Sequence, residues 1–178
     1  VTMKTEYNKD PTLPETVNDN TRPSALVTGA GSGIGKAIAR HLNDAGFRIF
    51  ICDADPKALE AFRAEMPEAS ALVCDVADEA AVAAVMADIL AQTGGRLDVL
   101  VNNAGISGMN AAVENTDPED FRRTMDVNVN GAFYFLTKAV PVMKSRGRGS
   151  IINIASTAAL LAIRTVHPML PRNGRLSD

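Results

Sequence analysis

The sequence predicts an α/β domain with a doubly wound parallel sheet, truncated after about the fifth strand. Two observations carry this expectation. Short runs that are apolar throughout recur along the chain, and helix-period segments separate each run from the next. Strands apolar on both faces need cover on both sides, and helices between consecutive strands make right-handed crossovers of a parallel sheet.

The elements follow in order. Ala25-Leu26-Val27 is a short apolar run closed by Thr28-Gly29, as a buried strand requires. A helix-period stretch follows, with Ile34, Ile38, Leu42 and Ala45 on one face, stopped by Gly46. Phe47 to Cys52 is the second strand, ending at Asp53. Asp55 is placed to cap the next helix and Pro56 to start it, with Ala58 to Met66 as its body and Pro67 as its stop. Ser70 to Cys74 is the third strand. Asp78 caps a helix carrying Ala81, Val82, Val85, Ile89 and Leu90, finished by Gly94-Gly95. Leu97 to Val101 is the fourth strand, Asp117-Pro118 opens one long helix to about Lys144, and Ser150 to Ile154 is the fifth strand.

Composition narrows the function classes. A chain of 178 residues, 46% hydrophobic and with net charge −3, suits one globular domain and excludes a disordered one. Uninterrupted apolar runs are short, Ala158 to Ile163 among them, so no membrane span is expected. Without a basic run there is no footprint for nucleic acid. Two cysteines far apart, with no CxxC or His spacing, point to a reducing compartment, hence the cytoplasm, and away from a metal site. Residues 1–23 are polar and Pro-bearing and read as a disordered leader, with the folded domain over 24–163 and an aperiodic tail over 164–178.

The chemistry-bearing signal is the turn Thr28-Gly29-Ala30-Gly31-Ser32-Gly33-Ile34-Gly35. Its glycines let the backbone adopt positive φ and let a pyrophosphate approach without meeting Cβ atoms. The helix that follows turns free N–H groups and a positive dipole end toward phosphates. A Gly-rich turn also closes ordinary strand-to-helix connections, so the strand–turn–helix context has to carry the reading. Asp53 lies 18 residues beyond Gly35, at the end of the second strand. A carboxylate there can accept both hydroxyls of an adenosine ribose and would repel a 2′-phosphate, which favours NAD over NADP. The alternative is a solvated turn residue that helps the next helix start. Cys52 and Cys74 read as small buried hydrophobes.

Five ordered motifs resemble the short-chain dehydrogenase/reductase family: TGAGSGIG at 28–35, Asp75-Val76, Asn102-Asn103-Ala104-Gly105, Asn128 in DVNVNGAF and Ser156 in SIINIAS. The resemblance runs from about Ser24 to Ala162 and implies a Rossmann fold with reversible hydride transfer between a nicotinamide and a small-molecule alcohol or carbonyl. It implies cofactor contacts at Gly29, Ser32, Gly33, Ile34, Gly35 and Asp53. Asp75 would bond the adenine amino group and Val76 would line the ring. Asn102, Asn103, Ala104 and Gly105 would steady the central strand and contact the coenzyme ribose. Ser156 would polarise the carbonyl, Asn128 would support a proton-relaying water, and the long helix would pack in homo-oligomer contacts. Residue by residue, plainer roles stay open: Asp75 as a helix cap, Asn102 and Asn103 as turn formers, Ser156 as a capping hydroxyl, Asn128 as a packing amide. Met109, Val113 and Leu160 read equally as substrate wall or as core.

The family's tyrosine and lysine, four residues apart, have no counterpart. Thirteen residues after Ser156 stands Met169, no Tyr follows Tyr134, and no Lys follows Lys144. The chain as written is therefore expected to bind a dinucleotide without turnover. The tail supplies a reason. With the commoner Leu and Arg codons, Pro168 to Gly174 read from each third base gives NAT, GCT, NCC, NCG, NAA and YGG. Those triplets permit Tyr-Ala-Ala-Ser-Lys-Trp. A frameshift between about Ala162 and Pro168 is one account, and a natural alternative terminus whose codons fit by chance is the other. Sequencing the encoding DNA separates them: the frameshift account expects Tyr-x-x-x-Lys in the shifted frame, and an early stop there defeats it.

Overall fold

The computed structural model describes residues 22–109 and 111–155; the expected leader, Ser156, Leu160 and the tail lie outside the described residues. Among the described residues, five strands form one parallel sheet in the order β3-β2-β1-β4-β5. They are β1 (Ser24–Thr28), β2 (Arg48–Asp53), β3 (Ser70–Val73), β4 (Val99–Asn102) and β5 (Ser150–Asn153). The order reverses between β1 and β4, so the crevice at the carboxyl ends of those two strands is the sheet's switch point. Pairing there is regular, with Ala25 opposite Val99 and Val27 opposite Val101.

Among the described residues, five α-helices connect the strands: α1 (Gly33–Asp44), α2 (Pro56–Glu65), α3 (Glu79–Gln92), α4 (Pro118–Met125) and α5 (Gly131–Ser145). The expected caps form. The side chain of Asp55 accepts from Lys57 N, that of Asp78 from Ala80 N and Ala81 N, and that of Asp117 from Glu119 N. Each satisfies donors that the helix itself leaves open.

Strand residues alternate between two cores. Ala25, Val27, Ile49, Ile51, Val99 and Val101 pack with Ala39, Leu59, Phe62 and Met66 of the α1/α2 layer. Leu26, Phe50, Cys52 and Leu100 pack with Val82, Val85, Met86, Ile89, Phe135 and Ala139 of the α3/α5 layer. β1 is buried along its whole length, as a strand covered on both faces should be. Among the described residues β5 sits at the sheet edge, with all four of its residues exposed.

The structure corrects several expected boundaries. β4 starts at Val99 rather than Leu97, because the Asp98 carboxylate accepts from Ser24 N at 2.8 Å and ladder pairing begins only beyond it. β2 starts at Arg48 and β3 ends at Val73, so Phe47 and Cys74 flank their strands. On α1 the residues facing the sheet are Gly35 and Ala39, with Ile38 and Leu42 half-buried, while Ile34 is 67% exposed and Ala45 is exposed. Small residues bring α1 close to the sheet, and Ile34, in its first turn, projects beyond the strands' cover. The single long helix is two helices joined by a π-helical turn at Asp126–Asn130. Such turns occur disproportionately at functional sites.

Phe50, fully buried, and Val113, 81% exposed, should respond differently to truncation. Phe50→Ala is expected to cost about 3–5 kcal/mol of unfolding free energy in a urea titration. Val113→Ala should change it by no more than about 0.5 kcal/mol.

Candidate functional site

The site begins where β1 ends. The Thr28 hydroxyl accepts from the backbone N–H groups of Asn103 and Ala104, each at 3.0 Å. The Asn103 side-chain amide donates to the carbonyls of Thr28 at 2.9 Å and Gly29 at 3.0 Å. The Asn102–Gly105 segment after β4 is thereby fastened to the glycine turn after β1. The approach is close enough to require glycine. Gly29 has φ of +61°, and a Cβ on it would stand 2.7 Å from Ala104 Cα. A Cβ on Gly35 would stand 2.5 Å from both Asn103 Nδ2 and the Gly29 carbonyl oxygen.

Beyond the turn, α1 presents an open end. Ser32 occupies the N-cap position, but its side chain makes no capping hydrogen bond, and no acidic residue lies in the first turn. Ser32, Gly33 and Ile34 are exposed, and a Cβ on Gly33 would meet nothing within 4 Å. Uncapped N–H groups at a positive dipole end, beside open space, fit an anionic group such as a pyrophosphate.

Asp53, the last residue of β2, stands beside this turn, and Asp75 follows the end of β3 on the same crest. One Asp53 carboxylate oxygen accepts from Gly31 N at 2.9 Å and the other from Asp55 N at 3.0 Å. Asp53 is half-buried and ties β2 to the turn. Asp75 Oδ1 accepts from Ala77 N at 3.0 Å, and its Oδ2 takes Arg123 Nη2 at 2.9 Å. Val76 is 6% exposed, and a Cβ on Gly131 would stand 2.8 Å from Val76 Cγ2, so that side chain belongs to the core contact with α5. Under the two carboxylates lie Cys52 and Cys74, both free and buried. Its hydrogen bond with Cys74, and then complete burial, push the Cys52 thiol well above its ordinary range, so it stays neutral.

On the other side of the switch point, the π-helical turn places Asn128. Its amide oxygen accepts from Ile106 N and its amide nitrogen donates to Ile106 O, both at 2.8 Å. Asp120 Oδ2 accepts from Met109 N at 2.6 Å, a second tie between the β4 loop and α4. Met109 and Val113 are 46% and 81% exposed, which removes the core reading for both. Asn102 is buried, donates to Asn153 Oδ1 at 2.9 Å, and keeps its own Oδ1 without a partner among the described residues.

Of the residues singled out from sequence, the structure brings the glycine turn, Asp53, Asp75 and Asn102–Gly105 to one crest of the sheet, with Asn128 bonded to the same β4 loop. Ser156 lies outside the described residues. Sequence reasoning missed Thr28 as the bracing hydroxyl, although its place before Gly29 was a usable signal. It also missed Arg123, which stands 48 residues from Asp75 with no local cue. Among the described residues, no group of three or more His, Cys, Asp or Glu is placed to hold a metal ion. No described helix is long and apolar enough to cross a membrane.

Comparison with known proteins bears on the same constellation. The short chain dehydrogenase family profile matches residues 23–167. A 2-dehydro-3-deoxy-L-rhamnonate dehydrogenase (NAD(+)) from a Sphingomonas species is 39% identical over 134 residues, covering 75% of this chain and 53% of the relative. A D-threitol dehydrogenase from Mycolicibacterium smegmatis is 39% identical over 143 residues, covering 78% of this chain and 54% of the relative. An actinorhodin polyketide ketoreductase solved with NADPH superposes with TM-score 0.75 at 35% identity, covering 79% of this chain and 56% of that one. A metagenomic short-chain oxidoreductase in complex with NADP gives TM-score 0.72 at 37% identity, covering 75% of this chain and 62% of that one. The chain spans about half the length of the curated relatives it matches. With its parallel sheet, its glycine turn braced by Asn103 and its match over residues 23–167, the chain belongs to the short-chain dehydrogenase family.

Proposed function

We propose that this chain is the coenzyme-binding part of an NAD-dependent oxidoreductase that interconverts a small-molecule alcohol and a carbonyl. The observation that carries the proposal is the crest of the sheet. There an uncapped helix end, a glycine turn braced by Thr28 and Asn103, and the Asp53 carboxylate stand together. Gly29, Ser32, Gly33, Ile34 and Gly35 would hold the pyrophosphate through backbone donors. Asp53 would accept from the adenosine ribose hydroxyls, Asp75 from the adenine amino group, and Asn102–Gly105 would flank the second ribose. The nicotinamide, when bound, supplies or accepts the hydride. Ser156 would donate its hydroxyl proton toward the substrate oxygen and so polarise the carbonyl. Asn128 would keep the Ile106 backbone in place and support a proton-relaying water.

NAD is favoured over NADP because a carboxylate at Asp53 repels a 2′-phosphate. One relative's name specifies NAD(+), whereas the two solved neighbours hold NADPH and NADP. A second reading, of a chain that binds coenzyme without turnover, is favoured by Met169, which stands thirteen residues after Ser156 where the family resemblance places the general-acid tyrosine. Losing a general acid alone removes ~10²–10⁴ of rate. Two cysteines without metal or CxxC spacing are in keeping with a cytoplasmic protein.

The partner, besides substrate, is a second copy of the chain. Phe121, Met125, Val129 and Phe133 recur at four-residue spacing from α4 through the π turn into α5, and all are at least 40% exposed. An apolar stripe of that kind on a soluble domain marks an interaction surface.

Two measurements test these readings. In a fluorescence titration NADH should bind at least about tenfold more tightly than NADPH, since like-charge juxtaposition costs several kcal/mol. Asp53→Ser should erase most of that preference. Equal affinities overturn the NAD assignment, and absence of binding to either overturns the coenzyme site. Binding without oxidation of secondary alcohols supports the inactive chain, and robust turnover defeats it. In sedimentation analysis the chain should run as an oligomer, and the Phe121→Glu, Phe133→Glu double variant as a monomer.

A further inference from the structure

We infer that Arg123 is a positioning residue for the adenine end of the coenzyme, fixing the Asp75 carboxylate that meets the base; this rests on the coenzyme reading above. Arg123 lies in the last turn of α4, and Nη2 reaches Asp75 Oδ2 at 2.9 Å across 48 residues of sequence. Asp75 Oδ1, the other carboxylate oxygen, accepts from Ala77 N at 3.0 Å. With one oxygen on each partner, the carboxylate plane has a single orientation rather than a rotating one. Each oxygen still has acceptor capacity, because a carboxylate offers about four lone-pair sites. Asp75 and Arg123 side chains are 43% and 48% exposed, so that capacity faces accessible space.

Packing does not account for the pair. None of the eight residues of α4 is buried, and an ion pair this exposed adds little to stability. A held acceptor, by contrast, matters to any ligand that must donate to it, since orientation fixed beforehand is not lost on binding. The adenine amino group is such a donor. In a coenzyme with hypoxanthine in place of adenine, a carbonyl oxygen replaces it and faces the carboxylate as a second acceptor.

The test compares NADH with reduced nicotinamide hypoxanthine dinucleotide, by fluorescence titration of the full 178-residue chain. The unaltered chain should prefer NADH by about tenfold or more, the size of a hydrogen bond to a charged group. Arg123→Ala should reduce that preference by about two- to fivefold, the range of an exposed pair, while leaving the thermal midpoint unchanged. Arg123→Lys should restore part of it. If the alanine variant unfolds, Arg123→Gln gives the same readout with the side-chain length kept. Equal weakening of both dinucleotides makes Arg123 a general electrostatic or structural residue and overturns the inference alone. No preference in the unaltered chain overturns the adenine role of Asp75 and the inference with it. Failure of both dinucleotides to bind overturns the coenzyme site as a whole.

Discussion

Everything at the crest of this sheet depends on the fastening of two loops across the β1–β4 boundary. Parallel pairing of Val27 with Val101 brings Thr28 beside Asn103. Two backbone N–H groups then converge on one threonine hydroxyl, and one asparagine amide spans two carbonyls. Buried backbone donors and acceptors must find partners, and here they find each other across the switch point. The consequence is a turn with no room for side chains at Gly29 and Gly35. The glycines are required first by the protein's own packing, and the open space that follows at Gly33 is what a phosphate could use.

The two sides of the crest are built differently. On the β2/β3 side, the Asp53 carboxylate holds two backbone N–H groups and that of Asp75 holds one, while both stay partly exposed. They combine a turn-stabilising role with residual acceptor capacity, so a turn role for each and the coenzyme reading are compatible, while the helix cap is Asp78 rather than Asp75. On the β5 side, the ties run from the β4 loop to α4 and the π turn through Asp120 and Asn128. The extra residue of the π turn lets Asn128 face the Ile106 backbone, whereas Val127 beside it stays in the core.

Much of the fold was legible because it rests on local chemistry. Asp55, Asp78 and Asp117 cap their helices as short-range rules require, and apolar strands between helix-period segments specify a parallel sheet. Ile34 was misread because periodicity locates a helix face without showing where the sheet beneath it ends. The break in the long helix was missed because Asp126–Asn130 carries no Pro or Gly to announce it. Met109 and Val113 could not be assigned from sequence, since an apolar side chain in a loop looks alike whether it is covered or open.

The sequence by itself determined the class of sheet, the caps, the glycine turn and the acidic ends of β2 and β3. Each of these depends on residues within a turn or two of one another, or on a repeating period. Tertiary structure alone decided that Thr28 and Asn103 lock the turn, that Arg123 reaches Asp75, and that Asn128 holds Ile106 rather than packing inside a helix. Those pairs are 75, 48 and 22 residues apart. Contacts at such separations arise from strand order and helix placement, which bring together side chains that no local spacing relates.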